Sequence, residues 1–277
     1  MGGAISVIYQ WYVLDIPESS RQFKVGFPPS CLDLRGNNIA IFTEVIRMID
    51  VEGKSVFTEV EEMVNPAHCA LILVDMQKDF AEKGYAYDKL GVDLSMYSNL
   101  RKNLSQLLEA ARRSSTTVVH IQMTNYANRL SDSPAQIRFN MRMHGSFRGD
   151  GPPLRYTIDG TEGHQFLDGF EPKVNEFVVK KHRSSAFFGT DLDMVLRSNQ
   201  ISTLVVTGLT TEGCVESTAR DGLFNDYYVV IPEDCVASDD PAQHDASMLL
   251  MRNRFDISSL EEIISYWDAS VAKPLSA

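Results

Sequence analysis

The chain has 277 residues, of which 44% are hydrophobic and 23% charged, and its net charge is −11. This length and apolar fraction suit one large α/β domain or, at a stretch, two small ones, and they exclude a disordered or fibrous chain. The acidic balance argues against a nucleic-acid or anionic-membrane partner, and no apolar run reaches membrane-spanning length.

Residues 1–66 read as an N-terminal extension that packs on the main domain or on a neighbouring subunit. Within it FPPSCLDLRGNN has the prolines and the Gly-Asn-Asn of a loop, and 56–64 is either a strand or an irregular arm. The opening MGGAISVIYQWYVLD lacks the basic region and long apolar core of a signal peptide, so a reducing, cytoplasmic setting is expected. The main domain is assigned to 67–277. Its first strand is Ala70-Leu-Ile-Leu-Val-Asp75, a buried run that ends on a carboxylate. A helix over 101–113 follows, with Leu100, Leu104, Leu107, Leu108 and Ala111 on one stripe. The next strand is 117–121, and then 124–169 is rich in Asn, Asp, Gly and Pro, a length that in a compact domain usually signals function. Strands at 176–180, 204–206 and 227–231 alternate with helices at 190–198, from Cys214 onward, at 241–253 and at 258–267. Alternation of this kind predicts an α/β fold with a parallel sheet covered on both faces.

Three reactive side chains fall just beyond strand ends, where open parallel sheets gather their functional groups: Asp75, Lys181 and Cys214. A lone cysteine is more often a small buried hydrophobe. Here the strand–turn–helix context of VVTGLTTEGCVESTARDG puts the thiol at a helix start, which favours thiolate, as in a nucleophile elbow. Val215, Thr218, Ala219 and Gly222 form one narrow stripe for packing on the sheet. Asp75 is then the base for the thiol, and Lys181 holds both in register. His120, also at a strand end, is the rival base, although a structural role is the commoner fate of such a residue. Cys31, Cys69, Cys214 and Cys235 lie far apart without a CxxC pair, which removes a thioredoxin-like motif and a zinc ribbon.

Three segments carry a family resemblance: Asp75-Met-Gln-Lys-Asp-Phe80, Lys181-His-Arg-Ser-Ser-Ala-Phe-Phe-Gly-Thr-Asp-Leu192 and Thr207-Gly-Leu-Thr-Thr-Glu-Gly-Cys-Val215. In order and spacing they resemble the three motifs of the isochorismatase-like cysteine hydrolases, over roughly 66–268. The resemblance implies a three-layer, Rossmann-like α/β sandwich with a six-stranded, mainly parallel sheet. It also implies a Cys-Asp-Lys triad at Cys214, Asp75 and Lys181 that cleaves a C–N amide bond. A non-proline cis peptide is implied at Leu209–Thr210, turning the Thr210 N–H beside that of Cys214 to form an oxyanion hole.

The nicotinamidase branch carries an Asp and paired His as a metal site. Residues 120–131 here hold no His-x-His cluster, so neither metal nor other cofactor is expected. Cys214 to Gly222 resembles the ureidoacrylate amidohydrolases, and Lys83-Gly-Tyr with Leu130-Ser-Asp-Ser-Pro-Ala135 is similar to biuret and other carbamoyl-amide hydrolases. The expected substrate is therefore a small ureido or carbamoyl compound. Phe80, Gln122 and Phe187 are candidate pocket residues. Arg129, Arg138, Arg142, Arg148 and Arg155 favour a carboxylated substrate slightly if they face the pocket. A homo-oligomer is expected, since sites at strand ends often borrow a wall from a neighbour. Isochorismatase-type vinyl-ether hydrolysis and a non-catalytic binding protein on the same fold are the alternatives.

Overall fold

The computed structural model describes residues 48–143 and 155–272, so most of the N-terminal extension lies outside the described residues. The described chain opens with an antiparallel hairpin, β1 (Met48–Val51) and β2 (Lys54–Phe57), and a single helical turn, α1 (Val60–Met63). The 56–64 segment is thus the end of a strand followed by a helical turn. Trp267, fully buried, donates its indole N–H to Val64 O at 2.8 Å and fixes the end of this segment.

The central run begins with β3 (Cys69–Val74), followed by α2 (Lys78–Ala81), α3 (Ala86–Lys89) and the long α4 (Ser95–Ser114). After β4 (Thr117–Met123) come α5 (Pro134–Met143), β5 (Phe177–Lys181), α6 (Leu192–Ser198) and β6 (Thr203–Leu209). The chain closes with α7 (Glu216–Phe224), β7 (Tyr228–Pro232), β8 (Val236–Ala237), α8 (Pro241–Met251), β9 (Asp256–Ser258) and α9 (Leu260–Ala272).

The sheet runs β5-β4-β3-β6-β7-β9 and every pairing in it is parallel. Two-residue β8 adds a parallel pairing to the end of β6, which makes seven strands where six were expected. β8 and β9 are too short to leave an apolar pattern in the sequence. All six residues of β3 are buried, because the strand is apolar on both faces. Leu71 and Leu73 pack with Leu104, Leu107 and Leu108 of α4 and with Ile263 and Trp267 of α9. Ala70, Ile72 and Val74 belong to the opposite layer, with Leu192 and Leu196 of α6, Ala219 of α7 and Met251 of α8. Three layers follow directly from this alternation.

The chain lays strands to one side of β3, then returns to lay β6 on the other. The carboxyl ends of β3 and β6 therefore flank the topological switch point, where such sheets open a crevice. Gly208, with φ of 107°, is required there: a Cβ would sit 2.2 Å from Val74 O.

Expected and observed elements differ mainly at their ends. α4 starts several residues early, and β5 runs to Lys181, making it the last strand residue. The sequence pattern gave no sign of α5 inside 124–169. Its start signal is nevertheless present, since Ser133 Oγ accepts from Gln136 N at 3.1 Å and Pro134 opens the helix.

The edge of the sheet is tied down by Glu176. Arg112 of α4 donates from Nε to Glu176 Oε1 at 2.7 Å and from Nη2 to Oε2 at 3.1 Å. His120 Nε2 lies 2.7 Å from the same Oε2. Burial would raise the Glu176 carboxyl, but Arg112, the Lys173 N–H and His120 outweigh it and hold it down at about 2. A depressed carboxyl contributes stability that is fully present above its unfolded value, near 4.5, and is lost as pH falls through the folded one. Glu176→Gln should therefore lower stability by roughly 2–3 kcal/mol at pH 7. In urea unfolding the gap to the unsubstituted protein should close between pH 4.5 and about 2. A gap that does not change with pH would refute the assignment.

Candidate active site

Asp75 follows β3 directly with φ of 57°, a left-handed conformation that aspartate tolerates better than most residues. Its own N–H bonds Ile121 O of β4 at 3.1 Å, and its Oδ1 accepts from Met123 N at 3.1 Å. Neighbouring Gln77 braces the same spot: its Oε1 accepts from Met123 N at 2.8 Å, and its Nε2 donates to Met123 O and His164 O. The carboxylate is thus set by the β3 and β4 ends rather than by a loop of its own.

Lys181 closes β5, and its side chain is wholly buried. Nζ stands 2.9 Å from Asp75 Oδ2 and 3.1 Å from Cys214 Sγ. It also donates to Arg183 O at 3.1 Å and contacts Met123 Sδ at 3.6 Å. An ammonium has three protons, and these four partners share them. Asp75 Oδ2 is held by the Lys181 ammonium, and the carboxylate is also within hydrogen-bonding reach of the Cys214 thiol. A carboxylate placed beside a thiol in this way can accept its proton.

Cys214 sits in a π-helical turn, Thr211–Val215, that leads into α7. Such turns recur at functional sites because the wider ring redirects side chains. The expected stripe is present: Val215, Thr218, Ala219 and Gly222 are buried against the sheet. The peptide between Leu209 and Thr210 is cis.

The electrostatics correct one expectation. A helix start favours thiolate, yet burial pushes the Cys214 thiol up to about 12, and the Asp75 carboxylate adds to the rise against the opposing pull of Lys181. Desolvation outweighs the helix end, and the thiol is neutral at rest. Burial also raises Asp75 above the usual carboxylate value, against the pull of Lys181. Burial alone would lower Lys181, but Asp75 and Cys214 outweigh it and keep the ammonium charged.

These groups lie at the floor of a cavity of about 60 Å³, several times the ~10–15 Å³ that one water needs. Asp75, Cys214, Leu209 and Thr210 face it. One wall is Phe80, Tyr87 and Tyr156, whose rings meet at centroid distances of 5.1 to 6.1 Å. Another is Gln136, Phe139 and Met143 of α5. Asp79 joins the two halves of the aromatic wall, accepting from Thr157 N at 2.6 Å and Ala86 N at 3.2 Å. Gly163 makes room for it, since a Cβ there would come within 2.1 Å of the carboxylate.

The structure brings Asp75, Lys181, Cys214, Leu209, Thr210 and Phe80 together. Gln122 and Phe187 do not line the cavity. Gln122 spends its amide on His164 O at 3.0 Å. Phe187 packs on Tyr227 in the layer of α6, α7 and α8. His120 is engaged by Glu176 and meets the Phe166 ring edge-on, so the rival Cys–His pair has no geometric support. None of Arg129, Arg138, Arg142 and Arg155 lines the cavity, and Arg148 lies outside the described residues. Arg129 pairs with Asp132 at 3.3 Å and, with Arg155, borders a small polar cleft behind Tyr156. Tyr87, Tyr156, Phe139 and Met143 were not foreseen. Tyr87 stands in the single-turn helix α3 and Tyr156 in an irregular segment, neither long enough to carry a periodic signal, and the other two belong to the unforeseen helix.

Comparison with known proteins agrees with the geometry. The isochorismatase family model, described as the isochorismatase domain, matches residues 69–261. The ureidoacrylate amidohydrolase RutB of Klebsiella variicola is 32% identical over 221 residues, covering 76% of this chain and 91% of its own. RutB of Enterobacter sp. is 34% identical over 174 residues, covering 61% of this chain and 75% of its own. Among solved structures, the N-carbamoylsarcosine amidase of Thermoplasma acidophilum superposes with a TM-score of 0.54 at 27% identity, covering 70% of this chain and 97% of its own. A cysteine hydrolase of Pseudomonas syringae pv. phaseolicola shares the fold with a TM-score of 0.62 at 24% identity, covering 75% and 96%. The motifs, the parallel sheet and the family match converge, and the chain belongs to the isochorismatase family of hydrolases.

Proposed function

We propose that the protein is a cysteine-dependent amidohydrolase that cleaves the C–N bond of a small ureido or carbamoyl compound. The observation that carries this reading is the Lys181 ammonium, in contact with both Asp75 at 2.9 Å and Cys214 at 3.1 Å on the cavity floor. The names of the relatives, a ureidoacrylate amidohydrolase and an N-carbamoylsarcosine amidase, support the same bond type.

In this mechanism the thiol proton passes to Asp75 Oδ2 as substrate arrives, and the Lys181 charge stabilises the new thiolate. The sulfur attacks the carbonyl carbon, and the N–H groups of Thr210 and Cys214 receive the oxyanion. Collapse breaks the C–N bond while Asp75 returns the proton to the departing nitrogen, leaving a thioester on Cys214. Water then adds, giving a proton to Asp75, and the C–S bond breaks. The thiolate recovers that proton and the acyl fragment leaves as an acid or carbamate. A high resting pKa of the thiol suits this scheme, because the proton moves only when a substrate is present to use the electrons.

Cys214→Ala should abolish ammonia release from ureides without lowering the melting temperature appreciably. Asp75→Asn and Lys181→Met should each cost at least ~10²–10⁴-fold in kcat. Combining either with Cys214→Ala should add almost nothing, since the three act as a unit. Substantial ammonia release by Cys214→Ala would contradict the covalent route.

The free enzyme offers a second check by pH. Iodoacetamide should label Cys214 before Cys69 and Cys235, which are buried and whose thiols burial raises further. The labelling rate at Cys214 should keep climbing with pH toward its value of about 12. A plateau reached below about pH 8, the mark of a pre-formed thiolate, would contradict the neutral resting state.

A further inference from the structure

The cavity walls bear on which ureide the enzyme takes, and the inference rests on the amidohydrolase reading above. Above the triad the wall is mostly apolar and carries no charge of its own: Phe80, Tyr87 and Tyr156 on one side, Phe139 and Met143 on the other, with Gln136 and Ser184 as the neutral polar members. Among the described residues, the cation nearest the reacting thiol is Lys181, and its charge is already matched by Asp75 at 2.9 Å. Asp75 itself faces the cavity, and the chain as a whole carries a net charge of −11. A substrate carboxylate entering here would lose its hydration, gain no counter-ion from these walls and stand near a second carboxylate. No Lys, Arg or His is among the described residues that line the cavity: Arg129 and Arg155 border the polar cleft beside Tyr156, Arg129 is paired with Asp132, and the Arg183 guanidinium is spent on His182 O and Ser131 O.

We infer that the substrate is a neutral ureide or amide whose body, beyond the scissile group, is a short apolar chain or ring held between the aromatic wall and α5. This departs from the carboxylated compound that gives the RutB relatives their name. The selectivity resides on α5. Phe139 and Met143 are 44% and 47% exposed, so they present apolar surface at the cavity mouth without being part of the packed core. Residues in that position accept substitution without unfolding the domain.

A matched pair of ligands isolates the question: butylurea, and 3-ureidopropionate, which carries a carboxylate where butylurea ends in an ethyl group. Binding is measured by calorimetry on the Cys214→Ala protein, so that it is independent of turnover. Butylurea should bind at least ~10-fold more tightly than 3-ureidopropionate, since only one of the two must bury an unpaired charge. Phe139→Arg, which supplies the missing cation at an exposed position, should reverse or erase the preference. Phe139→Ser should weaken butylurea and leave methylurea, which does not reach α5, nearly unchanged. Tighter binding of 3-ureidopropionate, equal binding, or no binding of butylurea overturns the inference. Preferential binding of butylurea upholds it. If the unsubstituted enzyme then fails to hydrolyse the butylurea it binds, the amidohydrolase reading falls while the neutral pocket stands.

Discussion

A charged lysine with no exposed surface is the constraint around which the rest of the site is arranged. Taking an ammonium and a carboxylate out of water costs several kcal/mol per ion unless geometry and hydrogen bonds compensate. Lys181 meets that condition with Asp75 at 2.9 Å, Arg183 O at 3.1 Å and Cys214 Sγ at 3.1 Å. Asp75 meets it with the Met123 N–H, which Gln77 shares. Removing either ion would strand the other, so the pair couples the ends of β3 and β5 to the turn that carries the thiol. The same coupling explains why the thiol is neutral at rest: its neighbours are already balanced, and a thiolate would be an excess charge.

Scaffold and loops divide the work. The groups proposed for bond cleavage stand at or just beyond the ends of β3, β5 and β6, on the rigid switch point of the sheet. The walls come from outside the sheet, from α2, α3, α5 and the segment around Tyr156. Asp79 fastens two of these pieces through the Thr157 and Ala86 N–H groups, so even the irregular wall is held by a half-buried carboxylate.

The sequence made the floor legible for a plain reason. A six-residue apolar run that ends on Asp, and another followed by Gly and then Cys, are too short for helices and have the turn residues that bound buried parallel strands. Lys181 was visible as a strand-end cation, though not as a buried one. Burial depends on Asp75 and Cys214 arriving from elsewhere in the chain. The pocket residues were harder. Phe187 lies in the same motif as Lys181, yet it packs on Tyr227 in the opposite layer, and Gln122 is consumed by a backbone carbonyl. Neither fact has a local signature. Strands β8 and β9 were missed because two or three residues cannot display a period. The thiol's expected activation by the helix end failed because desolvation, a tertiary quantity, dominated.

The central claim is that the sulfur of Cys214 becomes covalently bonded to the carbonyl carbon of substrate. Mass spectrometry of enzyme quenched in acid during turnover of a neutral ureide tests it most directly. The account predicts a carbamoyl adduct that maps to the peptide bearing Cys214, appears before the steady state and is absent from Lys181→Met. Turnover at full rate with no adduct on Cys214 at any quench time, or with an adduct on another residue, would contradict it.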